Sequence, residues 1–269
     1  MTLYEDARDW LLTPGDPGPI PVTKFAGAPW WPRETRRPVC PEGHTMGFVA
    51  QIRLADVPGW KSDPSLLSFH YCYECMWYGD MAFGWGYTKS KSYDVTILNP
   101  TEQGETDGLG CIGTTDHKPY TIAFYDYFLP VLRPEHDETW YTTLKEDDPE
   151  DAEATRERVE EEIQHFALRE RYGLVHSGEL PLPTSLPDIR HEGVYRSGRA
   201  EFGLGSGSRS RLGGPPQWMQ SPVFPTHGAD EPLLFVAQLD WVMANHSFYL
   251  FASPSDSPMR AGEMVLQST

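Results

Sequence analysis

Cys72-Tyr-Glu-Cys75 places two thiols at the spacing from which one turn of chain can offer both sulfurs to a tetrahedral ion. Upstream, Cys40-Pro-Glu-Gly-His44 adds a further thiol and an imidazole. Cys40, His44, Cys72 and Cys75 therefore form a candidate Cys3His zinc site, with Cys111 and His70 as reserve ligands. Four protein ligands would close the coordination shell and make such a zinc structural. Reduced thiols along a strand edge are the alternative reading of the same residues. A redox role for the pair calls for a thioredoxin-like βαβ setting, and none is visible.

Other chemistry is thin. The chain has no HExxH, no Walker loop and no GxSxG. Gly203–Ser208, "GLGSGS", lacks the Lys-Ser/Thr that would follow a phosphate cradle. "DHKPY" (Asp116 to Tyr120) and "PEHDE" (Pro134 to Glu138) set a His beside carboxylates that could share protons. Clusters of this kind are usually solvated surface charge.

The elements that must hold these residues carry a repeat. "KFAGAPWWP" (Lys24 to Pro32) and "RLGGPPQW" (Arg211 to Trp218) share one rhythm of small, Gly, Pro and Trp residues. A shift of 187 positions superposes Gly27 on Gly214, Pro29 on Pro216 and Trp31 on Trp218. Without a gap it also lays "FVAQI" (Phe48 to Ile52) on "FVAQL" (Phe235 to Leu239), so Gln51 meets Gln238. Two motifs in register at one offset imply an internal duplication. Glycine permits a close approach or positive φ, proline fixes the next turn and tryptophan fills a core. The two Gln, inside otherwise apolar strands, are expected to bond backbone across the sheet. The other possibility is that they face a shared groove across a pseudo-twofold axis.

In 269 residues, 39% are hydrophobic and 13% aromatic, enough for a sizeable core. The 24 Gly and 25 Pro suit a turn-rich α+β fold, mainly antiparallel, rather than a helical bundle. Strands are expected at "MGFVAQIRL", "LLSFHYCY", "SYDVTIL" and "YTIAFYDYFLPVL", then at "LLFVAQLDW", "HSFYLFAS" and "GEMVLQS". Residues 1–21 read as a short amphipathic helix, with Leu3, Ala7, Trp10 and Leu11 inward, and a Pro/Gly-rich lead. The first repeat spans 22–133, an acidic insert and linker 134–202, and the second repeat 203–269, with both repeats in one globular unit. Within the insert, Asp148 is an N-cap, Pro149 the first helical residue and Gly173 the stop. Ala152, Val159, Ile163 and Phe166 share one helical face, expected inward.

The net charge is −17, and Glu135 to Glu170 holds 14 acids against four bases. Such a balance argues against nucleic acid as a ligand, because that binding rests on cationic contacts. It favours a basic protein partner, with Glu157, Glu160, Glu161 and Glu162 as the candidate contact, or simply a solvated helix face. No run of about 20 apolar residues would span a membrane. The acidic start "MTLYEDARDW" is unlike a signal peptide, so a cytoplasmic protein with reduced thiols is expected.

Gly-x-Pro-x-Trp followed by "FVAQI" and "LLSFHYC" resembles the YwqG-like family of bacterial domains, which is related to the programmed-cell-death-2 and ribosomal-protein-chaperone proteins. The similarity takes in both repeats, including the closing "GEMVLQST", and leaves the acidic helix outside. It implies an α+β, mainly antiparallel, pseudo-twofold fold with no established reaction, and relatives that hold a client protein or act in immunity-type interactions. Many such proteins resemble one another in a Cys-x-x-Cys-Gly element before the "M-x-F" strand; here Gly43 and His44 stand where its second Cys is expected. These readings together give a non-enzymatic protein-binding module, immunity-type or chaperone-like. The alternative is a zinc-dependent enzyme such as a metallohydrolase, with an open site holding water.

Overall fold

The computed structural model describes residues 2–15, 17–33, 35–60, 63–72, 74–75, 92–100, 104–105, 120–181, 195–196, 210–227, 231–240, 246–257 and 260–268. In chain order the strands are β1 (Thr2–Pro14), β2 (Lys24–Phe25), β3 (Trp31–Pro32), β4 (Gly47–Arg53), β5 (Leu66–Tyr71), β6 (Tyr93–Leu98), β7 (Gly104–Glu105) and β8 (Tyr120–Val131). Helices α1 (Glu138–Asp147) and α2 (Pro149–Arg171) follow. Then come β9 (Val175–Gly178), β10 (Tyr195–Arg196), β11 (Arg211–Gly213), β12 (Thr226–His227), β13 (Glu231–Pro232), β14 (Leu234–Leu239), β15 (His246–Ala252) and β16 (Gly262–Ser268). The fold is α+β and mainly antiparallel. Among the described residues, no helix is long and apolar enough to cross a membrane.

The main sheet runs β16-β15-β14-β11-β1-β8-β2-β4-β5-β6. Its order is balanced about the β1–β8 pair: outward on each side lie one short strand and a three-stranded meander. The meanders turn their inner faces toward each other, and Phe69 of β5 meets Phe248 of β15 with ring centroids 5.6 Å apart. Such an aromatic contact adds about 0.5–1.5 kcal/mol to the burial of the two rings.

The two corner motifs have the same local structure. Ala26 and Gly27 take positive φ of 56° and 75°, and Gly213 and Gly214 take 62° and 69°. Lys24 pairs with Gln51 and Phe25 with Ala50, just as Arg211 pairs with Gln238 and Leu212 with Ala237. A bulge interrupts β4 between Phe48 and Ala50 and β14 between Phe235 and Ala237. The Gln side chains bond backbone in both places, described below. A Cβ at Gly214 would come within 2.9 Å of the Ala7 Cβ, which is why the corner can press against β1.

The N-terminal segment differs from expectation: residues 2–14 form a strand, not a helix. β1 pairs with β8 from Leu3↔Val131 to Pro14↔Tyr120, and its other edge takes β9, β11 and β10 in turn. Tertiary pairing on both edges overrides the local helical spacing. The buried side is Glu5, Ala7 and Asp9, alternating as a strand requires, with Trp10 also enclosed. Two of those positions are acids, which hides the alternation from a hydropathy reading.

Helix α2 starts as its sequence implies. The Asp148 carboxylate accepts from the Asp151 N–H at 3.1 Å, Pro149 occupies the first turn, and Gly173 at φ +67° ends it. Ala152 and Phe166 are buried, Val159 and Ile163 half-buried, and His165 and Arg169 join the inward face. Arg169 forms an ion pair with the buried Glu5 of β1, donating from Nε at 2.8 Å and from Nη2. The pair ties the helix to the centre of the sheet.

Candidate metal centre

A tight knuckle carries Cys40 and His44. Val39 and Thr45 bridge antiparallel, the Cys40 N–H donates to the His44 carbonyl at 2.9 Å, and Gly43 turns at φ +85°. The returning His44 N–H donates to the Cys40 sulfur at 3.3 Å. Cys72 directly follows β5, where its N–H donates to the Ser92 carbonyl and so extends the ladder to β6. Cys75 lies one turn later. The sheet edge thus presents one pair of ligands and the knuckle the other, over the side chain of Met46.

The four ligand atoms all lie within 4.8 Å of one another. Cys75 Sγ is 3.5 Å from Cys40 Sγ and 3.6 Å from His44 Nδ1, and Cys72 Sγ is 3.7 Å from the same nitrogen. With Zn–S near 2.3 Å and Zn–N near 2.0–2.1 Å, a tetrahedral ion sets its sulfurs roughly 3.8 Å apart and sulfur and nitrogen about 3.6 Å apart. The observed spacings match. His44 Nε2 lies 3.3 Å from the Glu74 carboxylate, a contact of the kind that would hold an imidazole with Nδ1 turned toward an ion.

Burial pushes the Cys40 thiol up, but the His44 N–H and the neighbouring thiols more than offset it and bring it down to about 7. Cys75 is pushed up to about 12 by burial and by the two sulfurs beside it. The Cys40 thiolate is therefore easy to form, and that of Cys75 is opposed until a cation neutralises the group.

His70 is not part of this group. It is buried under Trp31, with ring centroids 5.1 Å apart, and burial lowers its pKa to about 3. Cys111, Asp116 to Pro119 and the "GLGSGS" stretch lie outside the described residues. In "PEHDE", His136 rests near the Tyr141 ring at 6.0 Å and its flanking acids are exposed. Glu157 and Glu161 are exposed on the outer side of α2 and Glu160 is half-exposed, whereas Glu162 is half-buried on the inward side, at helical spacing from His165, Phe166 and Arg169. Burial and then Glu157 raise the Glu161 carboxyl; burial raises Glu162 as well, partly offset by Arg158. Gly27, Pro29, Trp31, Gly214, Pro216 and Trp218 form the two corners rather than a joint groove, and each Gln is bonded within its own half.

Sequence reasoning passed over Glu74, although its place inside Cys72-Tyr-Glu-Cys75 was the available signal.

A family model described as a domain of unknown function (DUF1963) matches residues 23–173. No curated protein matches the chain. The match encloses all four candidate ligands. It also takes in helix α2 and stops at Gly173, whereas the expected resemblance left the helix out and spanned both repeats.

Proposed function

The chain belongs to the family described as a domain of unknown function (DUF1963), and from that premise we propose that it is a zinc-stapled, non-enzymatic binding module for a basic protein. The observation that carries this reading is the Cys3His group: four protein ligand atoms within 4.8 Å of one another, three of their separations at 3.5–3.7 Å, a set that would fill a tetrahedral shell and leave no position for a reacting water. A metallohydrolase needs that open position. The ion's part is then to clamp the knuckle to the edge of β5 and β6, and the three thiols fit a reducing compartment such as the cytoplasm.

The outer face of α2 supports the partner. Glu157 and Glu161 raise each other's energy, a repulsion that a cationic surface would relieve. YwqG-like proteins, which the corner motifs resemble, offer the same precedent of client-holding or immunity-type relatives.

Two measurements test the reading on the full chain. Metal analysis should find about one zinc per chain, lost together with thermal stability in Cys72→Ser/Cys75→Ser; zinc lost without a fall in stability would point to a functional metal. An oligo-arginine probe should bind in a salt-sensitive way and lose roughly tenfold in affinity when Glu157, Glu160, Glu161 and Glu162 become Lys. Unchanged affinity removes the helix from the reading.

A further inference from the structure

One edge of β1 changes partners at Asp6. β9 pairs with it as far as Glu5↔Val175, and β11 takes over at Ala7↔Gly213. A cavity of about 320 Å³ opens beside this break. Pro58 and Gly59 from the first half, Tyr172 and Gly173 at the end of α2, and the Gly213–Gly214 corner of the second half line it together. Ligand sites favour such meeting places of separate structural units, and their volumes run from about 300 Å³ upward.

Two ion pairs line the same space. Arg169 donates to Glu5 from both Nε and Nη2, and both bonds fall on one oxygen, Oε1. Among the described residues, no donor reaches Oε2 of Glu5 and no acceptor reaches Nη1 of Arg169. Neither atom is sealed in the interior, and the cavity is the open space beside both side chains. Asp6 and His176, both half-buried at the rim, approach to 3.4 Å between Oδ2 and Nε2.

Burial raises the Glu5 carboxyl above its usual range, and Arg169, followed by Arg211 and His176, pulls it back only in part. A buried carboxylate with an uncommitted oxygen gains from a cationic donor. The spare N–H of the neighbouring guanidinium suits a carboxylate. A lone cation entering here meets Arg169, and a lone anion meets Glu5 and Asp6. A ligand that carries an ammonium and a carboxylate on one carbon satisfies both sides at once. The rest of the wall is apolar, with Pro58, Leu174 and the buried Phe235.

We propose that this cavity binds a free α-amino acid with an apolar side chain. Its ammonium donates to Oε2 of Glu5 and to the Asp6 carboxylate, and its carboxylate accepts from Nη1 of Arg169. Its side chain lies along Leu174 and Phe235, where burial of apolar surface adds affinity. His176 holds Asp6 in place from the rim.

The test is titration calorimetry of the full chain with L-phenylalanine and with L-leucine. At least one of them should bind, one molecule per chain. The matching amine, which lacks the carboxylate, and the matching acid, which lacks the ammonium, should each bind about tenfold more weakly or worse. Glu5→Gln should weaken the amino acid by about tenfold as well. Should that variant fold poorly, Asp6→Asn, at a half-buried position, should still weaken binding several-fold with the melting temperature kept. Three results overturn the proposal: no binding of either amino acid, an amine or acid that binds as tightly, or binding untouched by both variants. The readout needs neither zinc nor the glutamates of α2, so its failure is distinct from failure of the binding-module reading.

Discussion

Gln51 accepts a 3.0 Å hydrogen bond from the backbone N–H of Trp30 through its side-chain oxygen, and Gln238 accepts one of the same length from Gln217, the residue at the equivalent place. The two amide groups differ in what they donate to. Gln51 Nε2 donates to the carbonyls of Ile20 and Val22, tying the N-terminal lead to β4. Gln238 Nε2 donates to the Gln217 carbonyl and to Asp240, which Ser247 also serves. Gln51→Leu therefore strands three backbone groups near a fully buried residue and should cost roughly 3 kcal/mol. Gln238→Leu should cost less, because Asp240 keeps the Ser247 hydroxyl. Urea unfolding of both variants gives the ranking; equal losses would mean that the corners, not their amides, carry the stability.

Asp63 and Arg260 join the two halves across 2.6 Å, with Asp63 almost fully buried. Burial alone would raise the Asp63 carboxyl, but Arg260 and the Ser65 N–H and hydroxyl outweigh it and hold it below its usual range. A depressed carboxylate stabilises the fold above its ordinary value of 3.8 and loses that contribution as pH falls through the lower folded value. Asp63→Asn should thus lower stability by about 1–2 kcal/mol at neutral pH, a charged hydrogen bond tempered by the partial exposure of Arg260. Thermal melts from pH 7 down to pH 3 should show the gap between variant and parent closing. A gap independent of pH would assign the loss to packing instead.

Much of this architecture was legible. The strands from β4 to β6 and from β14 to β16 announce themselves through β-branched and aromatic runs, and the caps of α2 through Asp148, Pro149 and Gly173. The Cys3His cluster was legible because spacing alone restricts what two thiols can share. β1 was not, since its buried side includes Glu5 and Asp9, each satisfied by a group distant in sequence or by the backbone. Nor was the polar patch of the first half. Ser68 reads as an ordinary member of an alternating strand and His70 as a reserve metal ligand until the pairing register sets Tyr249 and Phe251 beside them for comparison.

Glu74 should matter to the metal without mattering to the fold. Its carboxylate is mostly exposed, as is much of His44, so their contact adds little to stability on its own. Its value lies in orientation, because an imidazole held at Nε2 presents Nδ1 toward Cys72 and Cys75. Glu74→Gln keeps the shape and removes the charge, and Glu74→Ala removes both. Zinc affinity, read by competition with a chromophoric chelator, should fall about tenfold or more in Glu74→Ala and by less in Glu74→Gln. The zinc-free melting temperature should stay within a degree or two of the parent in both variants. Unchanged zinc affinity in Glu74→Ala would make the contact an incidental surface pair, leaving the knuckle backbone, through the His44 carbonyl and N–H on Cys40, as what orients the ring.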